Sequence, residues 1–203
     1  MRLYDDPCSG NGYKVRLLLA LLGRDYDYVP LDIDKAETRT PEFLGKNPNG
    51  RIPLLELDDG RLLAESNAIL HYLADGSAFL PADRFDRAQV LQWMFFEQYS
   101  HEPNIATTRF WLTHGFEMTP WLLESVERKR AGGYAALGVM EGHLRSHRFF
   151  TAETYTIADI ALYAYTHVAH EGGFDLSGYP AVTAWLDRVA AQPGHVPITT
   201  VPS

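Results

Sequence analysis

Residues 5–23, DDPCSGNGYKVRLLLALLG, place one cysteine, one serine and two glycines directly ahead of a leucine-rich run. Cys8 offers a thiol, whose ionised form is a nucleophile. Ser9 offers a hydroxyl that can donate to an anion, and the Asn11 amide can supply or share that donor. Gly10 and Gly12 allow close backbone approach to a ligand, or a positive φ. The helix that follows aims its amide end back at Ser9, which favours an anion there by roughly 0.3–2 kcal/mol. The same residues also make a plain strand-to-helix loop with Ser9 as N-cap. Spacing alone leaves both readings open.

Three other stretches carry chemistry-bearing types. In NPNGRIPLL, Pro53 starts a strand, and spacing alone reads it as an ordinary strand-initiating proline. A cis Ile52-Pro53 bond would instead expose the Ile52 backbone N–H and C=O to a peptide-like ligand. In AESNAIL, Glu65 and Ser66 open a helix. The Ser66 N–H and hydroxyl can hold a carboxylate at the positive helix end, and Glu65 can hold an ammonium beside it. Together they suit an α-amino-acid head group; the alternative is a capping pair. In YTIADI, Thr156 and Asp159 have capping-box spacing, with Tyr155 and Ile160 as a hydrophobic staple. These four belong to folding. His167, on an otherwise apolar helix, reads as a core histidine.

Periodicity supplies the elements that must position these residues. RLY is a short strand. YKVRLLLALLG is a helix with Val15, Leu18, Leu19 and Leu22 on one stripe and Gly23 as its stop. DYVPLDI is a second strand, placed at an edge or an end by Pro30. TPEFLGKN is a short helix opened by Thr40 and Pro41. IPLLEL and RLLAE flank DDG, a hairpin signal, and SNAILHYLAD is a helix with Ser66, Ile69, Leu70 and Leu73 on one face. The order is β-α-β-α-β-β-α, with one parallel pair and one antiparallel hairpin. From about Phe85 onward the chain reads helical, and YTIADIALYAYTHVA suits a central core helix. We therefore expect an α/β domain over 1–76 and an all-α domain over 85–203.

Composition sets the outer bounds. The chain has 203 residues, 46% of them apolar, a formal charge of −8 and one cysteine. That charge argues against a broad nucleic-acid or anionic-membrane footprint, so an anionic ligand needs a local basic cluster. One cysteine gives no internal disulfide and no zinc-finger spacing. MRLYDDPCSG lacks an apolar stretch of secretory length, and the leucine cluster is too short to span a bilayer. These features suit a soluble cytoplasmic protein.

The order of motifs resembles the cytosolic glutathione S-transferases, closest to bacterial, theta and beta forms. It runs from a hydroxyl or thiol before the first helix, through NP..RIP and ES, to an all-helical half with T-x-x-D, and it covers essentially the whole chain. The resemblance implies a thioredoxin-like N-terminal domain, a helical C-terminal domain, a homodimer, and glutathione as co-substrate without a metal. It makes Pro53 the cis-proline, and Ile52 the residue whose backbone pairs with the cysteinyl part of glutathione. Glu65 and Ser66 become the γ-glutamyl receptor. Lys35 and Arg51 fall near the glycyl carboxylate, with Lys46 a weaker candidate. Ser9, six residues before Val15, falls at the theta-type catalytic serine, with Asn11 as alternative donor. Cys8 lies one position early for a beta-type cysteine, and Gly12 stands where bacterial relatives carry Cys.

The implied reaction is attack by glutathione thiolate on a small hydrophobic electrophile. The electrophile pocket is expected between the domains, with candidates from YSHEPNIATTRFWLTHGF: Tyr99, His101, Asn104, Arg109 and Trp111. The rivals are thiol–disulfide or peroxidase chemistry at Cys8, and a non-catalytic binding module, since fold does not fix function.

Overall fold

A computed structural model describes residues 1–151 and 153–201. The chain divides into two compact units. One comprises 1–75 with the described residues from Pro193 onward; the other is Gly76–Gln192.

The first unit is a four-stranded mixed sheet in the order β2-β1-β3-β4, with helices α1, α2 and α3. β1 is Arg2–Asp5, α1 Gly10–Leu21, β2 Asp27–Pro30, α2 Pro41–Lys46, β3 Leu54–Glu56, β4 Leu62–Ala64 and α3 Ser66–Ala74. This is the expected β-α-β-α-β-β-α order. The β1–α1–β2 crossover makes β1 and β2 parallel, with Tyr4 opposite Val29. β3 and β4 pair antiparallel, with Leu55 opposite Leu63, across a turn that needs a positive φ at Gly60. Pro30 ends β2, and β2 lies at the sheet edge, where a missing N–H costs no ladder bond.

Side chains alternate across the sheet. Tyr4 and Leu54 pack with Phe43 of α2, and Leu3 and Leu55 point the other way and are wholly buried. α1 packs against α3. The apolar stripe expected on α1 proves too narrow, because every residue from Gly12 to Leu19 is buried, including Lys14 and Arg16.

The second unit is helical: α4 (Arg84–Phe96), α5 (Glu102–Thr113), α6 (Pro120–Leu144), α7 (Ile157–Thr166) and α8 (Pro180–Ala190). Between α4 and α5 the chain makes a π-helical turn, Glu97–His101. Pro103 has no N–H to return to the preceding turn, so a wider turn fits there. α7 is buried along its whole length, as its apolar sequence requires.

The capping box at α7 forms. Thr156 N–H donates to Asp159 Oδ2 at 3.0 Å, and Thr156 Oγ1 accepts from Ala158 N–H. Asp159 reaches further than its box. Its Oδ1 also accepts from Phe150 N–H at 3.1 Å and from Trp185 Nε1–H at 3.0 Å, joining α7 to α8. α8 has no side-chain cap of its own. Glu141 of α6 supplies one, accepting from Ala181 and Val182 N–H at 2.9 and 3.0 Å.

The last segment departs from the expected boundary. Helical periodicity groups it with the second unit, yet from Pro193 onward it clusters with the first. The bonds responsible run from α1. Tyr13 Oη donates to the Val196 carbonyl at 2.7 Å, and Arg16 donates to the Ile198 and Thr200 carbonyls at 2.8 and 2.7 Å.

Candidate functional site

Ser9 is the N-cap of α1, with extended backbone angles. Its Oγ accepts from Gly12 N–H at 3.1 Å, while its own N–H donates to the Asp6 carbonyl. An oxygen that accepts from the backbone still has its proton to give. Capping and anion donation are therefore compatible in one side chain. No acidic residue occupies the first turn of α1, so its positive end is not offset from within. Cys8 is exposed, and its N–H donates to Asp6 Oδ1 at 2.8 Å.

Gly12 has a different cause from the one expected. Neither it nor Gly10 takes a positive φ. A Cβ on Gly12 would collide with the Asp5 carboxylate, so the close approach is internal. Asp5 is wholly buried and paired with Arg16, Nε to Oδ2 at 3.0 Å. Burial pushes its carboxyl up to about 7, against the pull of Arg16.

The start of α3 carries the second half of the site. Its N-cap is Glu65, at φ 69° and ψ 112°, with no side-chain capping bond. A β-carbon residue at positive φ is held against its own preference, and such positions cluster at ligand clamps. The Glu65 side chain is exposed. Ser66 is 6% exposed, and its Oγ donates to Asn11 Oδ1 at 3.2 Å while Lys14 Nζ lies 3.5 Å away. The N-terminal turns of α1 and α3 are thus tied side chain to side chain. Asn11 turns its carbonyl oxygen to Ser66.

Between these turns in sequence lies 47–53. The Ile52-Pro53 bond is cis, Ile52 is half-buried and Pro53 is buried. Asn47 Nδ2 donates to the Arg51 carbonyl at 2.7 Å, and Asn47 Oδ1 accepts from Asn49 N–H at 3.2 Å. Arg39 fills the space beside Gly50, where a Cβ would meet its guanidinium.

The candidate cations sort by their partners. Lys46 bonds Glu56 at 3.1 Å and lies over the Tyr4 ring; Tyr4 Oη donates to the same carboxylate at 2.6 Å. The Tyr4 hydrogen bond, with that of Lys46 beside it, holds the Glu56 carboxyl below its ordinary range. Lys35 is exposed and pairs with Asp32 at 2.8 Å, a contact worth little in water. Arg51 is exposed and has no ion-pair partner among the described residues.

The five pocket candidates separate within the helical unit. Asn104 and Trp111, two turns apart on α5, line a cleft of about 400 Å³. Trp121, Ser125, Arg128 and Lys129 of α6 complete it. His101 is wholly buried, with Nε2 2.9 Å from Thr166 Oγ1, and belongs to the packed interior. Arg109 pairs with Glu171 at 2.6 Å. Tyr99 is 88% exposed and lies outside the cleft lining. The α6 contribution went unread in the sequence. Its signal is the spacing of Trp121, Ser125 and Arg128–Lys129, which shares one face of a helix. His167 behaves as a structural histidine, with Nδ1 2.8 Å from the Tyr163 carbonyl and its ring stacked on Tyr163.

Among the described residues no cluster of His, Cys, Asp and Glu is placed to hold a metal, and no helix is long and apolar enough to cross a membrane.

Comparison with known proteins bears on both units of the fold. The model of the glutathione S-transferase N-terminal domain matches residues 1–75, and that of the C-terminal domain matches 122–193. A crystal structure of a glutathione S-transferase from Pseudomonas fluorescens superposes with a TM-score of 0.94, at 54% identity over 98% of each chain. The disulfide-bond oxidoreductase YfcG of Escherichia coli is 31% identical over 198 residues, 94% of this chain and 90% of that protein. A glutathione transferase from Burkholderia graminis, solved with two glutathione molecules bound per subunit, superposes with a TM-score of 0.83 at 28% identity, covering 95% of this chain and 84% of that one. By these matches the chain belongs to the glutathione S-transferase family.

Proposed function

We propose that the protein is a glutathione transferase that conjugates the glutathione thiolate to small hydrophobic electrophiles. One observation carries the reading: the N-terminal turns of α1 and α3 are joined through Asn11 and Ser66. One tripeptide can then meet a thiol-facing helix end and an amino-acid receptor together. Relatives solved with glutathione bound support the same co-substrate.

In this reading Glu65 takes the γ-glutamyl ammonium, and the α3 amide end at Ser66 takes its carboxylate. The Ile52 backbone pairs with the cysteinyl unit. Arg51 and Lys35 face the glycyl carboxylate. Ser9 donates to sulfur.

A free thiol has a pKa of about 8.5. Lowering it by about two units requires ~2.7 kcal/mol in favour of the anion. A hydrogen bond to a charged group contributes roughly 1.5–3 kcal/mol, and the helix end adds a fraction more. No proton-abstracting side chain is needed. The thiol proton leaves to solvent, sulfur forms the new bond to carbon, and the leaving group departs with its electron pair. The electrophile is assigned to the surface of the helical unit that carries Asn104 and Trp111. The working form is a homodimer in the cytoplasm.

A second reading has specific support. Cys8 is exposed beside Ser9, and one relative bears the name of a disulfide-bond oxidoreductase. Here Cys8 would take glutathione from a mixed disulfide as a new S–S bond, releasing the other thiol, and a second glutathione would restore it.

A panel assay separates the two. Glutathione is supplied with aryl halides, epoxides, hydroperoxides and mixed disulfides, using wild type and Cys8→Ser. Conjugation retained in Cys8→Ser is the expected result. Turnover confined to mixed disulfides and abolished by Cys8→Ser would move the assignment to thiol exchange.

A further inference from the structure

Arg16 is a buried cation with nothing to do in the reaction as described, yet nearly all of its donors are used. Its side chain is 1% exposed. Nε donates to Asp5 Oδ2 at 3.0 Å, at the end of β1. Nη1 donates to the Ile198 and Thr200 carbonyls at 2.8 and 2.7 Å. Nη2 donates to the Pro7 carbonyl at 2.9 Å. A guanidinium carries five N–H groups in a rigid planar fork. Four of them here fix two separate stretches of chain, Asp5–Pro7 and Ile198–Thr200, around one point. Pro7 lies two residues before Ser9, in the same tight loop whose other ties are Asp6 to the Cys8 and Ser9 amides.

The surrounding residues are shaped to this cation. Gly12 leaves room for the Asp5 carboxylate that balances it. Asp5 Oδ1 has no hydrogen-bond partner, so Arg16 is the carboxylate's only side-chain donor among the described residues. One turn earlier on α1, Tyr13 fixes the same terminal segment through Val196. The tail residues Thr199 and Thr200 are exposed, so their side chains do not account for their placement. Three of its main-chain carbonyls are held on α1.

We propose that Arg16 is a positioning residue for the thiol site: it clamps the Pro7 carbonyl, and through it the Ser9 hydroxyl, with the C-terminal segment Val196–Thr200 as the outer jaw. The proposal rests on the assignment of Ser9 as the sulfur donor. A hydrogen bond to a thiolate is short and directional, so a loop free to shift by a fraction of an ångström loses much of it. The C-terminal segment, far from Ser9 in sequence, thereby becomes part of its support.

The test compares wild type with Arg16→Gln and Arg16→Lys. Glutamine keeps two donors and removes the charge; lysine keeps the charge and loses the fork. Both are read by the pH profile of kcat/KM for conjugation and by the KM for glutathione. The expected result is a rise of about one pH unit in the acid limb for Arg16→Gln. That corresponds to about tenfold lower kcat/KM below the limb, with KM for glutathione changed less than about threefold. Arg16→Lys should fall between the two. A variant with the wild-type profile, or one losing KM and kcat alike with no shift, overturns the clamp.

Hydrogen exchange on the unmodified full chain keeps the test open if a variant does not fold. Glutathione should slow exchange in 8–12 and in 198–200 together. Slowing confined to 8–12 overturns the proposal. Absence of any glutathione binding by wild type overturns the functional reading and the clamp with it. Binding with an uncoupled tail overturns the clamp alone.

Discussion

At the scale of single residues, the site is built from side chains that do two jobs. Ser9 caps a helix with its lone pair and keeps a proton to give. Glu65 holds a positive φ that most residues avoid, and its exposed carboxylate stands beside a helix end without first-turn acids. Its proposed pairing with an ammonium gives a sharp expectation. Glu65→Gln keeps shape and removes the charge that pairs with an ammonium, so calorimetry should show glutathione binding weakened about tenfold, or ~1.4 kcal/mol. An analogue lacking the γ-glutamyl amino group should lose far less. Equal losses for both ligands would place the ammonium elsewhere. The places of Ser9, Glu65 and Ser66 at helix starts were legible in the sequence, because residue type and position before a helix are local facts. The reason for Gly12 was not. Its neighbour is Asp5, seven residues earlier, and only the folded chain shows that a buried carboxylate occupies the space a side chain would need.

At the scale of elements, the strands and helices of the first unit followed from periodicity, and the capping box from its spacing. What spacing could not show is how far Asp159 reaches. The carboxylate that opens α7 also holds the Trp185 ring of α8 and the Phe150 amide. Burial raises its carboxyl from the ordinary 3.8 to about 6, while its backbone and side-chain donors pull the other way. The sign of the linkage follows. Between those two values the folded chain binds the proton more tightly than the unfolded chain. The stabilisation from Asp159 is therefore fullest below about 4 and is lost as pH rises toward 6. Denaturant unfolding of wild type and Asp159→Asn should show the stability difference, wild type minus variant, falling by roughly 2–3 kcal/mol between pH 4 and 7. A flat difference would mean that its donors outweigh burial. The Glu141 cap on α8 was hidden for the same reason, since its partners lie 40 and 41 residues away.

At the scale of the whole molecule, an acidic chain can take a doubly carboxylated tripeptide only through local fields, and the structure shows which are available. Lys46 is committed to Glu56 and Tyr4, whereas Arg51 remains exposed and Lys35 is held by one exposed aspartate. The two-domain plan and the family were legible because several weak motifs occur in one order. The C-terminal segment falls outside the expected boundary because carbonyl oxygens accept most of the hydrogen bonds that tie it to α1, and main-chain acceptors leave no trace in sequence. The same limit hid the α6 side of the cleft, whose residues acquire meaning only once α5 lies beside them. The proposed reaction turns on sulfur bound as an anion beside Ser9. The most direct measurement is a pH titration of the ultraviolet thiolate absorbance of glutathione bound to wild type and to Ser9→Ala. A midpoint about two pH units below that of free glutathione in wild type, rising by at least one unit in the variant, is the predicted result. Bound glutathione that titrates like the free thiol, or identically in both proteins, would contradict it.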